Sequence, residues 1–183
     1  MHLLTLTNWS STILALLAST TQISATTINT SQPPAPALQF LYTAYVECTN
    51  TVMESPGPHG IRKAIPIVGG NFTGPRLSGT ILPLGADWSL TDPLTNLSNV
   101  DTRYNLRTHD GADIYIRTSG PKAPDGGVHL RLVFETGDQR YYWVNSILAV
   151  GVLHRVASTE ETRTLRIDAW NFASDWNSTA FLE

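Results

Sequence analysis

The chain has 183 residues, 42% of them hydrophobic, and a formal net charge of −3. That length suits one domain with a sizeable core, and the mildly acidic balance excludes the electrostatic pull on which nucleic-acid binders rely. Cys48 is the only cysteine, so no intrachain disulfide can form and stability must come from packing.

Residues 1–25 read as a secretory signal peptide. A short apolar stretch, Ile13 to Ala18, precedes the small residues Ile23-Ser-Ala25, although no Lys or Arg occurs in the first segment. The apolar run is too short to cross a bilayer, so no membrane span is expected after signal removal. Glycosylation acceptors at Asn29, Asn71, Asn96 and Asn177 point the same way, toward the secretory pathway or the extracellular space. Residues 26–37, with Pro33, Pro34 and Pro36, form a linker that cannot pair in a sheet.

From there the chain reads as short strands. Leu38 to Cys48 is the first, and its apolar context marks Cys48 as a buried structural thiol. Thr49 to Arg62, rich in Pro and Gly, reads as a loop, and Lys63 to Val68 as a short strand ended by Gly69-Gly70. Leu77 to Leu82 and a segment from Gly85 through Leu90 follow. Arg103, Asn105 and Arg107 then alternate with Tyr104, Leu106 and Thr108, the period of a pleated strand. After the turn at His109-Asp110-Gly111-Ala112, Asp113, Tyr115 and Arg117 oppose Ile114 and Ile116. GPKAPDGG (Gly120 to Gly127) marks a hairpin loop. His129, Arg131, Val133 and Glu135 next oppose Val128, Leu130, Leu132 and Phe134, and Tyr141, Trp143 and Asn145 oppose Tyr142 and Val144. Ile147 to Val156 and Thr164 to Trp170 are the last strands, joined by a turn at Thr159-Glu160-Glu161, with a tail over 171–183.

Nine or ten short strands without a long amphipathic helix predict an all-β, antiparallel sandwich or closed barrel over residues 38–170. Closure is expected because it removes exposed edges, while any edge left open could support a homodimer.

GGNFTGPRLSGTILPLGADW, RYNLRTHDGADIYIRTSG and FETGDQRYYWVNSILAVGV, in this order, resemble the DUF3237 (UPF0311-type) proteins. The resemblance covers Phe40 to Ile167 and implies a calycin-like β-barrel with a central ligand pocket. It is similar in particular to a fungal secondary-metabolism branch tied to aromatic polyketides and meroterpenoids. For that branch it implies an enzyme adding a phenol hydroxyl across a prenyl alkene, an intramolecular hydroalkoxylation.

No His pairing at ligand spacing occurs among His2, His59, His109, His129 and His154, so no metal is expected. Neither a dinucleotide fingerprint, a Walker pattern nor a nucleophile elbow is present, and no cofactor is expected. The remaining chemistry lies in acid–base groups. Asp87, in GADW, is the first candidate and Glu135, in FETGD, the second; two carboxyls of different pKa could divide donation and acceptance of a proton. Arg103, Arg107, Arg117, Tyr115, Trp143 and Asn145 share the charged parity and are the candidate substrate-binding set, on the expectation that this face points inward. For each of these residues an ordinary solvated outer face is the plainer alternative.

The partner expected is a small aromatic or hydrophobic molecule, cyclised or isomerised without a cofactor. A barrel that carries such a ligand unchanged is the alternative, and a filled barrel with no pocket the third.

Overall fold

The computed structural model describes residues 35–173; the expected leader, most of the linker, most of the tail, Asn29 and Asn177 lie outside them. Ten strands follow in order: β1 Ala37–Thr49, β2 Met53–Gly57, β3 Gly60–Thr73, β4 Ser78–Asp87, β5 Leu90–Thr91, β6 Ser98–Thr108, β7 Asp113–Pro121, β8 Val128–Glu135, β9 Ala149–Ser158 and β10 Thr162–Ala173. Every pairing is antiparallel. The strands run β1-β10-β9-β8-β7-β6-β4-β3, and β3 then returns to β1, closing a ring.

Alternation along the pleat sends one residue set inside. Leu106, Ile114, Ile116, Leu130 and Leu132 are each at most 2% exposed. Burying each such side chain favours the fold by roughly 1.5–3 kcal/mol, and together they stand in for the missing disulfide. Cys48 is buried among them, as its apolar strand suggests.

The turn chemistry follows the sequence closely. The GPKAPDGG segment closes the β7–β8 hairpin, with the Ala123 amide donating to the Gly127 carbonyl at 2.7 Å and the Gly126 amide to Ala123 at 3.0 Å. Thr159 to Thr162 closes β9–β10 in the same manner.

Three segments depart from expectation. Thr49 to Arg62 is not a plain loop: Met53–Gly57 pairs with the start of β3 and extends outside the ring. Pro56 is tolerated there because β2 is an edge strand, where a missing amide costs no ladder bond. The expected strand at Tyr141–Asn145 is instead a short 3-10 helix, Tyr142–Ser146. Its aromatic composition suits a strand, but the chain has left β8 and crosses one end of the barrel. Two local ties hold it: the Val144 amide donates to Tyr141, and the Asn145 side chain brackets Thr136, accepting from its amide and donating to its carbonyl, each at 2.9 Å. Val144 becomes a plug at that end, only 1% exposed.

The third departure is Gly69-Gly70, which does not end β3 but bends it. Both residues lie at positive φ; β3 leaves β4 after Pro66, runs along β1 from Ile67 to Thr73, and rejoins β4 from Asn71. A Cβ on Gly70 would stand 2.1 Å from the Tyr45 carbonyl oxygen. Gly70→Ala is therefore expected to pry β3 from β1, costing about 2 kcal/mol in chemical denaturation. A variant of unchanged midpoint would show that the ring does not depend on that close approach.

Candidate functional site

The two ends of the barrel differ. At the end crossed by the 3-10 helix, Leu41, Phe72, Leu77, Phe134 and Val144 fill the interior and are all at most 5% exposed. At the other end the filling stops short and leaves a cavity of about 160 Å³. Its walls are Val46, Ile65, Ile67, Val100, Leu153, Leu165 and Ile167, with Tyr104 and the Thr102 and Thr118 hydroxyls deeper in, and Cys48, Asp87, Arg155 and Arg163 adding polar or charged groups.

Asp87 reaches this cavity through a local irregularity in β4. Between Ile81 and Gly85 the register with β6 slips, so that Leu82, Pro83 and Leu84 together oppose a single residue. Pro83 has no amide to give the ladder, Leu84 is left 70% exposed, and the Asn105 side chain donates to the Leu84 carbonyl at 3.3 Å. Gly85 lets the strand close again on β6, where a Cβ would meet the Arg103 carbonyl at 2.5 Å. Asp87 then pairs with inward-facing Thr102 and with Ile65.

The Asp87 carboxylate accepts the Asp101 amide at 3.0 Å. Burial raises its pKa from the ordinary 3.8 to about 6; the Asp101 amide opposes that shift, the Asp101 carboxylate adds to it and Arg62 works against it. The Cys48 thiol is pushed up to about 11, chiefly by burial, then by the charge of Asp87, with Arg163 pulling it down. A thiol held so high is no nucleophile near neutrality. The Tyr104 hydroxyl is likewise driven above its usual range by burial. Thr102 and Thr118 satisfy each other through a hydroxyl contact of 2.6 Å. Among the described residues lining this cavity, Asp87 is the group placed to exchange a proton near neutral pH.

The charged parity does not face inward. Arg103, Arg107 and Arg117 stand on the outer wall with side chains 41%, 52% and 49% exposed. Arg107 makes a forked pair with Asp113, at 2.8 and 3.1 Å. Arg103 and Arg117 face each other across β6 and β7, and Asp101 lies within 3.5 Å of the first and 3.4 Å of the second, relieving their repulsion. Tyr115 is 37% exposed, and Glu135, opposite it on β8, is exposed as well. Trp143 packs on the plugged end beneath the Arg76 guanidinium, 3.8 Å from its ring centroid, and Asn145 is occupied with Thr136. The physical reason is volume: a ring of this size is filled by Leu, Ile and Phe, leaving the ionisable residues to pair outside. Of the sequence candidates, Asp87 alone lines the cavity. Thr102, Tyr104, Thr118, Arg155 and Arg163 were missed, although Arg163 shares the parity of Leu165 and Ile167, a pattern readable in the chain. Among the described residues, no group of three or more His, Cys, Asp or Glu side chains could hold a metal ion.

Ring closure, a plugged end and an acid-bearing cavity at the other end define a cavity-bearing antiparallel β-barrel. Residues 36–128 match the family described as protein of unknown function (DUF3237), and the chain belongs to that family. A UPF0311 protein of Rhodopseudomonas palustris is 33% identical over 117 residues, which is 54% of this chain and 74% of the relative. The hydroalkoxylation enzyme phnH of Penicillium herquei is 27% identical over 121 residues, 66% of this chain and 76% of that enzyme. The crystal structure of a beta-barrel like protein from Acinetobacter baumannii AYE superposes with a TM-score of 0.68 at 30% identity, covering 78% of this chain and 99% of that one.

Proposed function

We propose that this protein is a cofactor-independent enzyme that cyclises or isomerises a small aromatic substrate in the Asp87 cavity, by intramolecular hydroalkoxylation of a prenyl alkene. The observation carrying this reading is a carboxyl of pKa about 6 set in an apolar enclosure. The distant likeness to a fungal hydroalkoxylation enzyme supports the reaction class.

One carboxyl suffices for the reaction, in place of the pair expected from the sequence. Protonated Asp87 gives its proton to one alkene carbon, leaving a tertiary cation on the other. The phenol oxygen forms the new C–O bond there, and the phenolic proton passes to the Asp87 carboxylate, restoring the acid. Nothing else is consumed and the product has the mass of the substrate. The Tyr104 ring, in the cavity wall, steadies the cationic centre, and the apolar lining keeps water from capturing it.

An untargeted comparison of metabolites with and without the active protein tests this. The expected result is one feature lost and one of equal mass gained. A ligand retained on the protein and returned unchanged would favour the carrier reading, which the same apolar walls also suit.

The secretory route is part of the proposal. Asn71 and Asn96 are both exposed, so each acceptor is open to modification. Expressed in a eukaryotic host, the protein should gain electrophoretic mobility on treatment with peptide N-glycosidase. Unmodified Asn71 and Asn96 in the secreted product would remove this support.

A further inference from the structure

Among the described residues five arginines, Arg62, Arg76, Arg131, Arg155 and Arg163, stand outside the ion pairs, and two of these, Arg155 and Arg163, line the cavity. Arg103, Arg107, Arg117, Arg140 and Arg166 each reach an aspartate. Arg155 and Arg163 form no ion pair among the described residues. They are also the arginines turned toward the cavity. Arg163 pairs across the ladder with buried Cys48, and Arg155 with Leu165, both of which line it. The register slip between Thr164 and Leu165 brings Arg155 into that inward position on β9. Asp87 does not neutralise them, since the cation acting on its carboxyl is Arg62.

The size of the enclosure adds a second constraint. At about 160 Å³ it matches the roughly 150 Å³ apolar cavity that holds one benzene molecule. A single ring therefore fits within, and any further group on it must extend toward the rim. We propose that Arg155 and Arg163 form the specificity element of this site and select a single-ring aromatic substrate bearing an anionic group, a carboxylate above all. This inference rests on the ring-binding reading of the cavity proposed above. The anion lies across the two guanidiniums, whose fork geometry suits a carboxylate, while the ring displaces water from the apolar walls. The anion also offsets the positive charge gathered at the rim.

Binding of 4-hydroxybenzoate and of 4-hydroxybenzyl alcohol to the full chain, measured by calorimetry at pH 7, tests the assignment. The acid is expected to bind about tenfold more tightly than the alcohol, with the margin shrinking as salt is raised. In Arg155→Gln/Arg163→Gln the margin should fall to within about twofold, through loss of affinity for the acid. Both positions are at the rim, and a melting curve matching the parent's verifies that the double variant is folded. Equal affinities in the parent, or a margin that survives the double substitution, would overturn the arginine assignment and leave the cavity reading intact. Failure of both ring compounds to bind would overturn the cavity reading together with it.

Discussion

Asp87→Asn is expected to lower turnover by about 10²–10⁴-fold while leaving the barrel folded and ligand uptake intact. The amide keeps an oxygen to accept the Asp101 amide, so β4 should hold its course, but it has no proton to give an alkene. The pH profile carries the same information. The proposed reaction begins from the protonated carboxyl, whose pKa is about 6, so the rate should be highest below that value and fall as pH rises through it. A parent enzyme whose rate climbs instead through pH 6 would point to a carboxylate base, and an Asn variant of unimpaired rate would end the role of Asp87. Glu135→Gln serves as the control: its side chain is outside the cavity and the variant should behave as the parent does.

The same carboxyl should leave a mark on stability. Its folded pKa of about 6 lies above the ordinary 3.8, so between those values the folded state binds more protons than the unfolded chain. Stability from this group is therefore full below about pH 4 and is lost as pH rises through 6. The rise from 3.8 to about 6 sets a ceiling of ~3 kcal/mol, reduced by the solvent that reaches the rim. Asp87→Asn, neutral throughout, should thus be more stable than the parent at pH 8 by about 2 kcal/mol, several degrees in Tm, and no more stable near pH 4. Thermal melts of both proteins at the two pH values decide it. An equal difference at both would mean that charge burial is not its source.

Both expectations arise from a feature only half readable in the chain. Strand order and turns follow from alternation and from Pro and Gly, as the GPKAPDGG hairpin illustrates. The failure at Tyr141–Asn145 is one of context, since YYWVN has strand composition but serves as a plug. Alternation also states that a strand has two faces without stating which residues at its ends matter. Tyr115 drew attention to the charged face, yet the outer wall accommodates an aromatic ring beside Asn105 and Glu135 at moderate exposure. The cavity proposed as the site lies where the inward set turns polar near the strand ends, at Asp87, Thr102, Thr118 and Arg163. Asp87 could be picked out from GADW, but its position depends on the slip around Pro83, which alternation alone does not reveal.

With Val144 and the aliphatic filling sealing one end, the chamber is a cul-de-sac. Among the described residues the chamber opens at the other end alone, so under the proposed function a product must leave by the doorway its precursor came in through. A polymer cannot thread such a chamber, and a slow-leaving product would compete directly with its own precursor. Traffic through that doorway, rather than bond making, would then set the ceiling on the proposed reaction.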